Sequence, residues 1–284
     1  MNSIIKSIFI SALPVISIYF AVDSIVYLSN YGISYHYTGR LLISGTIAIL
    51  FVSFFIKPVA RTTAGLKTHT LIIAIGFLIS ITTGVFIEKN INRSLPSTGL
   101  FLGWVLYLKW YSVFNNRKNN SILRVGNLLP DLELQDFKKN NINTSSFIGQ
   151  PSIFLFYRGN WCPLCMAQIK EIASLYKELE KRKINVILIS PQPHQHTKAL
   201  AKKFSLNFNY LIDQNNKVAN QLQILSKNGL PMGLQTLGYN KDTVMPTVII
   251  TDKQGKIIYA DLTDNYRVRP EPEIFIKIID DQLF

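Results

Sequence analysis

Two cysteines carry the most direct chemical signal in this sequence of 284 residues. Cys162 and Cys165 are the only cysteines in the chain, and two residues separate them. On a helix, this spacing puts two sulfur atoms about one turn apart on one face, where they can close a short disulfide. The spacing therefore predicts a redox pair in which one thiol attacks and the other resolves the intermediate.

The elements around the pair place it at the start of a helix. Ser152 to Tyr157 (SIFLFY) is an apolar run of strand length, and Cys165 to Lys183 has apolar residues at helical spacing. Unpaired N–H groups and the helix dipole favour a thiolate at a helix N-terminus, so Cys162 is the predicted nucleophile. Pro163 suits the first helical turn, where its missing N–H costs little. Arg158 either adds positive charge there or is a solvated surface residue.

A metal centre explains the two cysteines poorly. Structural zinc sites and iron–sulfur clusters take four protein ligands. The nearest histidines, His194 and His196, follow a predicted strand beyond the helix. We therefore predict no metal and no cofactor.

The remainder of the second half alternates apolar runs with helical ones. The predicted strands are 184–189, 210–212, 247–252 and 256–260, and the predicted helices are 196–204 and 273–279. A central sheet with helices on both faces results. Met245 and Pro246 precede one strand, where a cis peptide bond would bring backbone beside the cysteines for substrate pairing. A trans proline at a strand start is the alternative.

The same residues resemble a known family. The run FLFYRGNWCPLC at 154–165, followed by MAQIKEI, resembles the peroxiredoxin-like branch of the alkyl hydroperoxide reductase and thiol-specific antioxidant superfamily. LPD at 129–131 is similar to the opening hairpin of that superfamily. MPTVIITDKQGKI and DNYRVRPEPE are similar to its cis-proline strand, its hairpin and the entry to its last helix. The resemblance covers about residues 122–284 and implies a thioredoxin-like α/β fold with a central mixed sheet.

The resemblance also implies roles for individual residues. Cys162 would attack a peroxide or a disulfide, and Cys165 would resolve the product. An arginine that steadies the thiolate is expected, and Arg158, Arg267 and Arg269 are candidates that the sequence does not rank.

One position departs from the family pattern. Peroxiredoxins have Thr or Ser three residues before the attacking cysteine, where its hydroxyl bonds the peroxide, and this chain has Gly159. Trp161 before Cys162 and Pro163 gives a WCPxC form that is also similar to thioredoxin-like disulfide oxidoreductases.

The first half of the chain is of a different kind. Residues 1–117 hold 9 basic and 2 acidic residues, whereas residues 118–284 hold 21 and 15. Four apolar stretches, at 8–28, 41–56, 70–87 and about 95–114, predict membrane spans, which excludes a wholly soluble enzyme. The second stretch is a little under the usual length of about 20 residues, but Arg40 and Lys57 at its ends could reach the headgroups. A cleaved signal peptide fits the first stretch poorly, because the run is long and no small-residue cleavage pattern follows. We predict an all-α domain of four transmembrane helices at 1–114, a polar linker at 115–121 and a redox domain at 122–284.

The basic residues beside these stretches predict an orientation. Eight of them lie on the side that holds the N-terminus and the redox domain, and three lie on the other side. Cytoplasmic loops carry the excess, so we expect an integral membrane protein of a bacterial inner membrane with a cytoplasmic redox domain. An odd number of spans would place that domain on the periplasmic face.

Anchoring is the predicted role of the membrane half. Asp23 lies near the end of its span, and His36 and His69 fall on opposite predicted sides, which disfavours a bis-histidine haem site. The spans have no cysteine to relay a disulfide. The basic residues do not form a patch with interleaved aromatics, so the lipid bilayer is the predicted partner and nucleic acid is not.

The sequence as a whole predicts a membrane-anchored, thiol-dependent oxidoreductase that reduces peroxides. Its partners would be a peroxide or disulfide substrate and a thiol electron donor such as a thioredoxin-type protein. A protein disulfide oxidoreductase is the alternative enzyme. A membrane electron-transfer or scaffold protein with an accessory redox domain is the alternative of another class.

Overall fold

The computed structural model describes residues 2–114 and 117–283, in two compact units. One unit is N-terminal and helical, and the other is C-terminal and built around a sheet. Asn115 and Asn116, where the predicted linker begins, lie outside the described residues. Beyond them Arg117–Asn119 form a short 3-10 turn, and the buried Arg117 guanidinium donates to the Thr263 carbonyl oxygen at 2.7 Å. This part of the predicted linker is therefore folded against the C-terminal unit.

The N-terminal unit consists of apolar helices. In its described part these are α1 (Asn2–Tyr31), α2 (Tyr35–Ile56), α3 (Lys67–Thr82) and α4 (Leu95–Leu106). Segments 3–31, 35–56 and 67–87 are long and apolar enough to cross a membrane. The predicted region of apolar helices is confirmed, but the count of four spans is approximate. Helix α4 has only 12 residues before a five-residue π-helical turn ends it at Tyr111.

Small residues allow α2 and α3 to approach closely. A Cβ added to Gly39 would lie 2.6 Å from the Gly76 carbonyl oxygen, and a Cβ added to Gly76 would lie 2.6 Å from the Gly39 carbonyl oxygen. Both distances are shorter than any ordinary contact. The two backbones therefore touch at these glycines, as is typical of helices that pack in a membrane.

The polar side chains of the helical unit bind one another. Arg40 forms an ion pair with Asp23. His36 Nδ1 lies 3.2 Å from Ser80 Oγ, and His69 stacks on an indole ring with 6.5 Å between ring centroids. These contacts give Asp23, His36 and His69 structural roles within the helix bundle.

The C-terminal unit is organised around a mixed sheet. Its strands are β1 (Glu133–Asp136), β2 (Asn141–Asn143), β3 (Ser152–Phe156), β4 (Asn185–Ser190), β5 (Asn209–Ile212), β6 (Leu225–Ser226), β7 (Thr243–Val244), β8 (Thr247–Thr251) and β9 (Ile257–Ala260). Seven of them form one sheet in the order β2-β1-β5-β4-β3-β8-β9, and β6 pairs with β7 separately. Strands β3, β4 and β5 are parallel to one another, whereas β1, β2, β8 and β9 are joined by antiparallel pairing.

Helices complete this unit. They are α5 (Pro163–Ser174), α6 (Tyr176–Lys181), α7 (His194–Phe204), α8 (Lys217–Gln221) and α9 (Pro272–Leu283). The predicted helix from Cys165 to Lys183 is in fact two helices, because Leu175 leaves the helical conformation at φ −94° and ψ 10°. The mixed sheet with flanking helices is the thioredoxin-like α/β architecture expected from the sequence.

The centre of the sheet holds the strand that leads to the cysteines. All five residues of β3 are buried, and Phe154 is in register with Ile187 of β4 and Ile249 of β8. Successive side chains of a strand point to opposite faces, so a strand buried throughout is covered on both faces. Strand β3 is also hydrogen-bonded to β4 on one edge and to β8 on the other. This pairing fixes the position of Phe156, after which the cysteine loop begins.

Candidate active site

The cysteine pair lies where β3 passes into α5. Cys162 is the residue before the helix, and its carbonyl oxygen accepts the backbone N–H of Met166 at 3.0 Å. Pro163 is the first helical residue, and Cys165 lies on the first turn. Both thiols are free and buried, with 3% of Cys162 and none of Cys165 exposed. The strand, turn and helix expected around the pair are all present.

Arg269 contacts a cysteine sulfur. Its Nη2 lies 3.5 Å from Cys165 Sγ, and its Nη1 donates to Gln168 Oε1 at 2.9 Å. Its Nε donates to the Tyr266 carbonyl oxygen at 2.9 Å. These partners hold a buried guanidinium rigidly against the thiol pair. Arg267, the other candidate in this segment, is fully buried.

Arg158 is buried as well, so it is not a solvated surface residue. Its guanidinium lies over the Trp161 ring at 4.8 Å and over the Tyr266 ring at 5.8 Å, and it donates to the Gly229 carbonyl oxygen. Its positive charge acts to lower the pKa of Cys162. Arg158 therefore adds to the positive potential of the site.

The pKa values of the two thiols are shifted in opposite directions. Burial raises the pKa of Cys162 well above its usual value, and the neighbouring Cys165 raises it further. Burial also acts to raise the pKa of Cys165, but a hydrogen bond with Cys162, the charge of Arg269 and a hydrogen bond with the backbone of Arg158 lower it to about 5. At neutral pH the reduced pair therefore holds one thiolate and one thiol, with the negative charge on the sulfur that Arg269 contacts.

Gly159 has a geometric reason to be glycine. Its φ is +143°, and a Cβ added there would lie 2.8 Å from Trp161 Nε1 and 3.3 Å from Tyr239 Cε1. A threonine or serine at this position would overlap the indole ring. The departure from the peroxiredoxin pattern is therefore linked to the placement of Trp161.

A glutamine missed by the sequence analysis organises the loop before the cysteines. Gln192 Oε1 accepts the backbone N–H of Asn160 at 2.9 Å, and Gln192 Nε2 donates to Tyr157 Oη at 2.9 Å. Burial raises the pKa of Tyr157, so its hydroxyl stays protonated. Gln192 follows β4, and the cysteine loop follows β3, which is parallel to β4. Because the carboxyl ends of adjacent parallel strands meet at one edge of a sheet, a polar residue just after β4 is the sequence signal that points to Gln192.

Of the two alternatives at Pro246, a cis or a trans peptide bond, the structure has the trans bond. No peptide bond among the described residues is cis. Met245 donates its backbone N–H to the Ile224 carbonyl oxygen at 2.7 Å, and Thr247 Oγ1 donates to the Met245 carbonyl oxygen at 2.8 Å. These contacts lead the chain directly into β8. The segment still reaches the cysteine loop, since Thr243 Oγ1 donates to the Arg158 carbonyl oxygen at 3.1 Å.

Within residues 2–114 and 117–283, no group of three or more His, Cys, Asp or Glu side chains is placed to hold a metal ion. The chemistry described for the pair needs only the two thiols and the charges around them.

Comparisons with known proteins point to one family. The AhpC/TSA family model matches residues 125–260. A Helicobacter pylori (strain J99) protein assigned to the peroxiredoxins under the name bcp is 30% identical over 121 residues, which are 43% of this chain and 79% of that protein. Peroxiredoxin Q of Sedum lineare chloroplasts is 29% identical over 160 residues, 56% of this chain and 78% of that protein.

Oxidoreductases of a second kind are also similar. The thiol-disulfide oxidoreductase ResA of Geobacillus kaustophilus is 23% identical over 157 residues, 55% of this chain and 76% of that protein. Among solved structures, peroxidoxin BcpB of Mycobacterium tuberculosis matches with a TM-score of 0.48 and 17% identity, covering 57% of this chain and 99% of that one.

Proposed function

Because this chain belongs to the AhpC/TSA family, we propose that it is a membrane-anchored thiol peroxidase that reduces hydroperoxides through Cys162 and Cys165. The observation that carries the proposal is the buried guanidinium of Arg269 against the sulfur pair. A cation beside the buried pair keeps one thiolate present at neutral pH, and a proton shared between the two sulfurs can leave that charge on Cys162, the sulfur proposed to attack. Thiol-dependent oxidoreductase chemistry is common to both kinds of relative.

The reaction needs only the two sulfur atoms and an external thiol. In the first step the thiolate attacks one peroxide oxygen, so that an S–O bond forms and the O–O bond breaks. The sulfur is oxidised to a sulfenic acid, and the leaving hydroxide or alkoxide takes a proton from solvent. In the second step the other cysteine attacks the sulfenic sulfur and releases water, which leaves a disulfide. A dithiol partner, such as a thioredoxin-type protein, then reduces the disulfide and is itself oxidised.

Cys162 is the sulfur proposed to attack. It is the more exposed of the two and lies in the loop next to Trp161, whereas Cys165 is completely buried against Arg269. Cys165 has the lower pKa of the two hydrogen-bonded sulfurs, and a proton that passes from Cys162 to Cys165 leaves the thiolate on the attacking sulfur. The hydrogen bond between the two sulfurs provides the path for that proton.

A protein disulfide oxidoreductase is the second candidate function. Gly159 leaves no hydroxyl to bond the peroxide, and the similarity to ResA is to a protein of this kind. A thiol-disulfide exchange would use the same two cysteines, with a mixed disulfide in place of the sulfenic acid.

Rapid mixing separates the two functions. We expect the reduced full-length protein in detergent to be oxidised by hydrogen peroxide at least about 100-fold faster than a free thiol of the same pKa, because a prepared site stabilises the charge that develops on the leaving oxygen. The measurement quenches each time point with an alkylating agent and counts the remaining thiols by mass spectrometry. A parallel series uses an oxidised thioredoxin-type protein. Fast exchange with that disulfide and no enhancement with peroxide would replace the peroxidase with the second candidate.

We also propose a location for the redox domain. The three apolar helices suggest membrane association. If α4 also crosses the membrane, the eight basic residues on the side of the N-terminus and the redox domain favour a cytoplasmic redox domain. An alkaline phosphatase fused after Phe284 is then expected to be inactive, and a cytoplasmic reporter at the same point is expected to be active. An active phosphatase fusion would place the domain on the periplasmic face and would mean that the number of spans is odd.

A further inference from the structure

The side chain of Trp161 has a hydrogen-bond donor that no described residue accepts. Its Nε1 is shielded from solvent and has no partner among the described residues. A buried N–H without a partner destabilises the folded state, because it has lost its hydrogen bonds to water and gained none in the protein. Buried donors of this kind are uncommon in folded proteins, and a bound ligand is one explanation for them.

The position of this N–H is set by the cysteine loop. The backbone N–H of Cys162 donates to the Gly159 carbonyl oxygen at 3.1 Å, so the loop folds back on itself and brings position 159 beside the nucleophile. Trp161 Nε1 lies 2.8 Å from the point where a Cβ of residue 159 would be. The indole N–H therefore fills the space in which a side chain at position 159 would begin.

Arg158 both holds the indole ring and strengthens its donor. The guanidinium carbon lies 4.8 Å from the ring centroid, a distance at which a cation is attracted to the face of an aromatic ring. A positive charge over the ring draws electron density from it, and the N–H becomes a better donor to an oxygen that carries negative charge. The ring is thereby restrained beside Cys162.

We propose that the indole N–H of Trp161 donates a hydrogen bond to the leaving oxygen of the hydroperoxide while Cys162 attacks. This inference rests on the proposed peroxidase function and deepens it. As the S–O bond forms and the O–O bond breaks, negative charge develops on the leaving oxygen, and the N–H stabilises that charge. The indole keeps its proton throughout, and the leaving hydroxide or alkoxide is protonated by solvent.

The donor also favours one class of substrate. The leaving atom of a hydroperoxide is an oxygen, which accepts strong hydrogen bonds, whereas the leaving atom of a disulfide is a sulfur, which accepts weak ones. Trp161 is therefore expected to accelerate reaction with hydroperoxides selectively. A merely structural indole that covers the sulfur would affect both reactions to the same extent.

The test removes the N–H and keeps the shape of the side chain. Full-length protein in detergent is prepared with benzothienylalanine at position 161, in which sulfur replaces the N–H of the indole, and also as Trp161→Phe. We expect the rate constant for oxidation by hydrogen peroxide to fall by on the order of 100-fold, the usual effect of losing one preorganised donor to a developing oxyanion. The rate constant for exchange with a small aromatic disulfide should change by less than about threefold, since the leaving atom there is sulfur.

Tyr210→Phe is the matched control. The Tyr210 hydroxyl is another buried polar atom without a hydrogen-bond partner in the part of the chain that the structure describes, but it belongs to β5 rather than to the cysteine loop. Its removal tests whether losing any unpartnered buried donor in the unit affects the reaction, and both rate constants are expected to stay at the wild-type values.

The outcomes separate this inference from the proposed function. If the wild-type protein reacts rapidly with peroxide and the benzothienylalanine protein is equally fast, the donor role of Trp161 is overturned and the peroxidase function stands. An equal loss of peroxide and disulfide reactivity would likewise overturn it, because the indole would then be structural. If the wild-type protein shows no enhanced reaction with peroxide, the peroxidase function fails, and the donor role fails with it.

Discussion

Replacing Cys162 with serine is expected to reduce peroxide turnover to the uncatalysed background, whereas Cys165→Ser should allow one reaction per molecule. The reason is the division of roles in the proposed reaction, because the hydroxyl of a serine at position 162 is not ionised at neutral pH and does not attack the peroxide. Without Cys165, the sulfenic acid on Cys162 has no resolving thiol and accumulates, or forms a mixed disulfide with an added thiol. Mass spectrometry of the peptide that contains Cys162 detects either product in the full-length protein.

The charge distribution in the reduced pair makes this experiment discriminating. Cys165 has the lower pKa, about 5, and it is the sulfur that Arg269 contacts. If the Cys162→Ser protein is still oxidised at Cys165 with the wild-type rate constant, Cys165 is the attacking thiol and the assigned roles are reversed. The double variant with serine at both positions measures the background.

Replacing Arg269 with methionine is expected to slow oxidation by peroxide about 100-fold at pH 7. The reduced pair reacts after it has lost one proton, and the guanidinium is one of the groups that lower the pKa of that loss, at Cys165, to about 5 against the effect of burial. The remaining proton can then pass between the two hydrogen-bonded sulfurs, which leaves the thiolate on Cys162. Removing a cation destabilises the thiolate, so the pKa rises; at a pKa of about 9, roughly 1% of the thiol is ionised at pH 7. The wild-type rate should be nearly constant above about pH 6, whereas the variant rate should increase through the alkaline range. Quenched-flow measurements of the oxidation rate between pH 5 and 10 give the pH profiles of the wild-type and variant proteins.

Two further arginine variants serve as controls for Arg269→Met. Arg269→Lys keeps a positive charge without the fork of donors and should recover part of the rate. Arg182→Met removes an arginine that is paired with Glu178 on α6 and Asp280 on α9, and it should leave the pH profile unchanged. An Arg269→Met protein with the wild-type profile would show that this guanidinium does not stabilise the reactive thiolate.

Much of the redox unit follows from the sequence because its signals are local. The apolar run from Ser152 is a strand in which every residue is buried, and a proline directly after Cys162 begins a helix. Both depend on neighbouring residues and on the two periodicities of secondary structure. The nature of the chemistry follows in the same way, because two cysteines three positions apart at a helix start suit few roles other than redox exchange.

The sequence predicts the structure of the helical half less completely. Its apolar composition fixes the presence of membrane-type helices, but a run of apolar residues does not specify where regular helix ends. The π-helical turn that follows Leu106 shortens α4. In the redox unit, the apolar pattern over 165–183 likewise does not show that the helix is interrupted at Leu175.

Only the tertiary structure decides which groups surround the sulfur atoms. Arg269 lies 104 positions after Cys165 and still contacts it, while Arg158, four residues before Cys162, lies over Trp161 instead. Gly159 looks like a missing hydroxyl in the sequence, but its space is filled by an indole N–H. The physical reason is that local pattern and propensity act over a few residues, whereas burial, charge and hydrogen bonding at the site depend on segments that meet only when the sheet has formed.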